Sequence, residues 1–314
     1  MKNVAILLSC LIVLTMLTRS TMSAGDLSGT VSAQFLKIDV SARAIGMGGA
    51  QVAVADGASS LAYNASGILS VNDYGFAATY TAWFANIQHS YASLVKNIPN
   101  IGAVGASVIL MTTDDIPETT PQFPEGTGRS FRASEYAFSL AFARQVTEQF
   151  RLGVNAKIIQ SYLYNTEIGS SSFAVDVGTM YDIPVLHSHI GVSLTNIGKD
   201  LKYINEIYSL PTALRFGITL DVWKDAESQN QFVTVFQVSR ANDTQEQYNL
   251  GAEYVFDNVL ALRGGYKFGY DQENITAGFG LRLAPMGINT MLDYGYNNFK
   301  YLPGTHSFTF EFQF

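Results

Sequence analysis

Hydrophobic and polar positions alternate along most of the chain beyond residue 73. In Tyr248-Asn-Leu-Gly-Ala-Glu-Tyr-Val-Phe256 the even positions are apolar or aromatic, and Asn249, Gly251 and Glu253 fall between them. Period two places the two sets on opposite faces of a strand. Ile275 to Leu283 alternates in the same way on odd positions, as do Leu214 to Val222, Leu260 to Tyr270, Tyr136 to Phe142 and Phe173 to Tyr181. Phe232 to Val238 alternates poorly and is placed by spacing alone. The chain closes on His306-Ser-Phe-Thr-Phe-Glu-Phe-Gln-Phe314, with Phe308, Phe310, Phe312 and Phe314 on one face. Chain ends usually fray, so a greasy face there points to an apolar solvent.

Such segments number about fourteen, an even count within the range of bacterial outer-membrane barrels. They lie near 74–82, 86–96, 101–111, 133–145, 150–163, 171–182, 188–197, 211–223, 230–240, 247–256, 258–269, 274–284, 287–296 and 305–314. Their connections sort by length. Asn97 to Asn100, Thr147 to Gln149, Ile183 to His187, Asp257-Asn258 and Pro285-Met286 are turn-like, with Lys224 to Gln229 longer. The alternate connections include the long polar stretches Thr112 to Arg132, Lys199 to Leu210 and Asn297 to Gly304, although Trp83 to Ala85 is short. Short turns at one rim and long loops at the other mark a barrel inserted from one side of a membrane. The expected fold is an all-β transmembrane antiparallel β-barrel of about 14 strands with a small N-terminal plug.

Charge placement decides which face meets lipid. Arg215, Asp221, Glu253, Arg263, Lys267, Arg282, Asp293 and Glu311 all have the parity opposite the bulky apolar residues. Lysine or arginine facing mid-bilayer lipid costs roughly 2–4 kcal/mol. Eight such costs exceed a typical net stability of about 5–15 kcal/mol. These residues are therefore expected to line a lumen, with the rings outside. A soluble barrel would invert the pattern, so composition matters. Only 14% of residues are charged, against roughly 25% in soluble domains. Tyr74, Trp83, Tyr162, Tyr164, Trp223, Tyr270, Tyr296 and Tyr301, near strand ends, are candidates for interfacial girdles.

The division expected is a secretory signal at 1–24, a plug or hatch at 25–72 and the barrel at 73–314. Lys2, the apolar run Val4 to Leu17 and the small residues before Ala24 make the signal. Without Lys2 and Arg19 the chain has 17 basic and 26 acidic residues, a net charge of -9. No basic tract offers itself to nucleic acid. Cys10 is the only cysteine and falls in the leader, so the mature chain holds no disulfide. Gly46-Met-Gly-Gly follows no strand, and Gly126-Thr-Gly-Arg-Ser lacks the lysine of a nucleotide loop. His89, His187, His189 and His306 lack an acidic cluster nearby, so no metal is expected, nor any cofactor. No nucleophile with an oriented base can be assembled, so no enzyme is expected.

Ser32 to Val71 does not alternate and is dense in Ala and Gly. Short helical turns are expected at Ala50 to Ala58 and Ser59 to Tyr63, in a compact unit able to close a wide barrel. Within it, "ARAIGMGGAQVAVADGASSLAYNASGIL" resembles the N-terminal region of the PorV/PorQ family, related to long-chain fatty acid transporters of the FadL type. The family pattern is Ala-Arg-x-x-x-Gly-x-Gly-Gly-Ala, then Ala-x-Asp-Asp-Ala and Asn-Pro-Ala-Gly. Ala42, Arg43, Gly46, Gly48, Gly49, Ala50, Asp56, Asn64 and Gly67 match it. Ala65-Ser66 replaces Pro-Ala, and Gly57 replaces the second acid. The resemblance implies a fourteen-stranded outer-membrane barrel with an N-terminal hatch. It also implies service to type IX secretion as a shuttle or accessory component, or else passive uptake of hydrophobic molecules. The partners expected are outer-membrane lipids, the barrel-assembly machinery through the C-terminal strand, and either secretion-system proteins with their cargo or a hydrophobic ligand.

Overall fold

In the computed structural model the described residues are 29–165, 168–225, 229–283 and 289–314. The leader at 1–24 and the turn at Pro285-Met286 lie outside them. Fourteen strands form the wall: β1 (Tyr74–Ala82), β2 (Gln88–Ile98), β3 (Gly102–Thr112), β4 (Ser134–Gln145), β5 (Phe150–Tyr164), β6 (Ile168–Ile183) and β7 (Ser188–Gly198). Then come β8 (Ala213–Lys224), β9 (Gln231–Ala241), β10 (Gln247–Phe256), β11 (Leu260–Phe268), β12 (Glu273–Arg282), β13 (Thr290–Phe299) and β14 (Thr305–Gln313). Each pairs antiparallel with the next, and β1 pairs with β14 to close the barrel. Closure leaves no unpaired edge, which a strand in hydrocarbon cannot tolerate.

The closing seam gives the terminal aromatic run its place. Gly75 stands opposite Gln313 and Ala82 opposite His306, while Tyr74 and Phe314 exchange backbone hydrogen bonds of 2.8 and 3.0 Å. Phe308, Phe310 and Phe314 are 56%, 41% and 61% exposed on the outside, with Phe312 half-buried. Ser307, Thr309 and Glu311 between them are buried inside. A cation at Phe310 would sit in lipid, so Phe310→Lys is expected to destabilise the barrel by roughly 2–4 kcal/mol. Urea unfolding in lipid vesicles measures this, and an unchanged midpoint would place that face elsewhere.

The rims differ as the connection lengths predict. Asp257 and Asn258 turn tightly with φ of 50° and 51°, a conformation short Asp and Asn side chains tolerate. The long loops hold two small ribbons the alternation pattern does not register: Ile116–Pro117 with Ser130–Phe131, and Leu201–Tyr203 with Glu206–Tyr208. Runs of two or three residues carry no period. β13 reaches three residues further than expected, because Asn297 keeps pairing with Thr305 despite its weak strand preference.

The irregular β9 has a packing cause. Val233 and Val235 point inward yet are apolar and buried, and Val235 packs on Met47 and Ala50. Across the lumen, Ala77, Val95, Ala103, Ala141 and Ala143 form another dry wall against Leu61, Ala65, Ile68 and Val71. The inner face is therefore wet only in part. Two girdle candidates also fall inside. Trp83 lines the lumen and packs edge-on against Phe299 at 5.6 Å, and Tyr270 hydrogen-bonds to Asn249 at 3.0 Å. Tyr164 is taken up by the long loop, donating to Glu118 at 3.0 Å. Trp223, stacked on Tyr254, stays outside.

Candidate functional site

Residues 33–71 fold inside the wall as one helical turn, Ala42–Gly46, and 3-10 turns at Gln34–Lys37, Ala58–Ala62 and Ala65–Ser70. The turn expected at Ser59 to Tyr63 forms at Ala58–Ala62, whereas Ala50 to Gly57 holds no helix and makes a single turn, the Val54 N–H donating to the Gln51 carbonyl at 3.1 Å. The segment touches the barrel through backbone, and glycines make that possible. Gly153, Gly178, Gly191, Gly251, Gly265 and Gly295, on six strands, face Ser66, Asn64, Val52, Met47, Gly48 and Ala42 so closely that a Cβ would overlap them. Absence of a side chain on the wall lets main chain reach main chain.

The matched motif residues each have a physical task. The Ala42 N–H donates to Thr309 Oγ1 at 2.8 Å, and the Gly48 N–H to Thr276 Oγ1 at 3.0 Å. Gly48 and Gly49 take φ of 68° and 74°, left-handed values that favour glycine. At Gly46 a Cβ would press on Gly278 and Arg263, and at Gly67 on the Ala55 carbonyl. Asn64 donates to the carbonyls of Val52 and Thr179, both at 2.9 Å. It also accepts from the Ser66 hydroxyl at 2.7 Å and the Ser66 N–H at 3.2 Å. Ser66, which stands where the family pattern has alanine, thus fixes a turn that has Ala65 in place of the pattern's proline.

Arg43 joins the charged wall. It donates twice to Glu253, at 3.0 Å each, and pairs with Asp56. Arg263 bridges Glu253 and Asp293 at 2.6 Å each, and Arg282 approaches Glu253 at 3.7 Å. Burial works against the Arg43 charge, and its ion pairs with Asp56 and Glu253 offset that cost. One bidentate guanidinium–carboxylate pair thus ties the segment to β10, and geometry of this kind is specific as well as strong.

The remaining expected lumen residues divide. Lys267 pairs with Asp39 at 3.1 Å and with Glu273. Glu311 accepts the Ala58 N–H at 2.8 Å. Arg215 donates to Thr195 at 2.9 Å and stands apart from the network, as does Asp221 near the short-turn rim. Sequence reasoning missed Asp39, Tyr63 and Gln237. Gln237 accepts from the N–H groups of Gln51 and Val52, both at 3.0 Å, and its inward parity on β9 was the available signal.

Two cavities flank the segment. One of about 430 Å³ opens toward the long loops and is lined by Lys37, Asp39, Arg215, Lys267 and Glu273 among others. The other, about 240 Å³, includes Arg43, Asp56, Arg282 and Glu311. Between them the Val40 and Ser41 N–H groups both donate to the Tyr63 hydroxyl, at 2.8 and 3.0 Å.

The family model described as "Type IX secretion system protein PorV" matches residues 24–241, well over half of the chain. The chain belongs to the PorV family. Its place is the bacterial outer membrane. No curated protein matches it significantly. Among solved structures, the Ralstonia pickettii toluene transporter TbuX is similar, with TM-score 0.60 at 12% identity, covering 88% of this chain and 99% of that one. The Pseudomonas putida toluene transporter TodX gives TM-score 0.62 at 10% identity, covering 87% and 97%. A Pseudomonas aeruginosa FadL homologue gives 0.54 at 9%, covering 88% and 98%. These likenesses establish a shared FadL-like barrel. The PorV match takes in the whole Arg43 motif and the wall through β9.

Proposed function

We propose that this PorV-family barrel serves type IX secretion as a shuttle or accessory component for secreted proteins, with residues 25–72 acting as a fixed plug. The observation that carries the reading is the ion-paired seat of the segment. Arg43 on Glu253, itself held by Arg263, is a costly arrangement for a hatch that must leave. A closed lumen moves the work to the rim, where the loops 113–133 and 199–212 with their ribbons meet partners. The outward rings of β14 contact lipid, and this strand is the feature the barrel-assembly machinery would read. Uptake of hydrophobic compounds, a reading in line with the name of the toluene transporters, is the weaker one. Such passage needs an apolar route, and both cavities carry paired charges.

Purification of the tagged protein from native membranes tests this. Large surface proteins should come with it, and a deletion strain should fail to display them while growing normally on a hydrophobic carbon source. Normal secretion with lost growth on that source would replace the proposal by uptake.

A further inference from the structure

The path of the N-terminal segment through the lumen carries a consequence for topology. Its early residues lie at the long-loop rim. The Ser32 N–H donates to the Ser209 carbonyl at 3.0 Å, and the Ser32 hydroxyl meets the Tyr203 hydroxyl at 3.0 Å. Val31 bridges in parallel to Ser209. Lys37 and Gln34 reach Asp243, in the connection between β9 and β10, at 2.8 and 3.0 Å. The segment ends at the opposite rim, where the Val71 carbonyl accepts from Asn97 at 2.8 Å, beside the short β2–β3 turn. It therefore crosses the lumen once, from the long-loop side to the short-turn side.

Long loops of outer-membrane barrels face the exterior and short turns the periplasm. We propose that residues 29–32, where the N-terminal segment enters the lumen, are exposed at the cell surface beside the Leu201–Tyr208 ribbon. The proposal rests on the membrane orientation used in the functional reading.

Cysteine labelling decides the matter, since the only natural cysteine is Cys10 in the expected leader. Thr30→Cys is exposed at the segment's start. Glu125→Cys marks the longest loop, and Val185→Cys, where the native side chain is 90% exposed, marks a short turn. Intact cells are treated with a membrane-impermeant maleimide, before and after the outer membrane is permeabilised. The expected result is labelling of Thr30→Cys and Glu125→Cys in intact cells, and of Val185→Cys only after permeabilisation. Labelling of Thr30→Cys only after permeabilisation, with Glu125→Cys labelled throughout, overturns the proposal while leaving the orientation standing. Labelling of Val185→Cys but not Glu125→Cys in intact cells would reverse the orientation and remove both. Retained heat-modifiable mobility on detergent gels shows that each variant is folded.

Discussion

Replacing Glu253 with alanine should lower barrel stability by about 3–5 kcal/mol, the usual cost of stripping a buried charge of its partner. Glu253 is 1% exposed and takes hydrogen bonds from Arg43 and Arg263, with Arg282 near by. Its loss leaves Arg263, whose side chain is fully buried, with Asp293 alone. Arg43 keeps only Asp56, whose side chain is 57% exposed. The destabilisation should therefore be uneven, falling first on the N-terminal segment. Urea unfolding in vesicles reads the total, and protease cleavage within residues 29–72 of the otherwise folded barrel reads the local part. Adding Arg263→Ala to Glu253→Ala should cost much less than the sum of the two single changes, since residues in one network do not add. Additive losses together with an intact segment would show that Glu253 does not hold it.

How much of this was legible depends on how many residues share one pattern. The wall was legible because most strands repeat the same alternation against one apolar solvent. Glu253, Arg263 and Asp293 were placed inside by parity alone. Their meeting with Arg43 was not, since three-dimensional proximity between residues 43, 253, 263 and 293 leaves no trace in spacing. β9 shows the converse limit. Val235 broke the alternation because part of the inner wall packs on Met47 rather than water, and periodicity cannot report a second apolar partner. Trp83 and Tyr270 sat near strand ends, as girdle residues do, but position along a strand does not say on which side a ring near the rim lies. Asp39 and Tyr63 belong to a non-repeating segment in which no local pattern marks a polar residue for a particular partner.

The glycine-lined inner wall yields the second large expected effect, and two neighbouring glycines supply the test and its control. Gly265 and Gly264 are adjacent on β11, so period two sends them to opposite faces. A Cβ at Gly265 would overlap the Gly48 backbone and lie 2.5 Å from the Met47 carbonyl carbon, whereas a Cβ at Gly264 meets nothing within 4 Å. The obstacles at Gly265 are main-chain atoms held against the wall from the two neighbouring strands, the Gly48 N–H donating to Thr276 and Asn249 donating to the Gly48 carbonyl, so no side chain can swing aside. Valine at 265 should displace the Gly46–Gly49 turn and pull Arg43 away from Glu253. With the segment unseated, the plug we propose would be lost, and a barrel of this strand count should conduct ions in planar bilayers. Gly264→Val should stay as silent as the parent protein, because its methyls enter lipid. A conducting Gly265→Val barrel with heat-modifiable mobility separates an unseated plug from a failed fold. Equal silence from both variants, with the 29–72 segment still protease-resistant, would mean that main-chain contact with the wall is not what keeps the lumen shut.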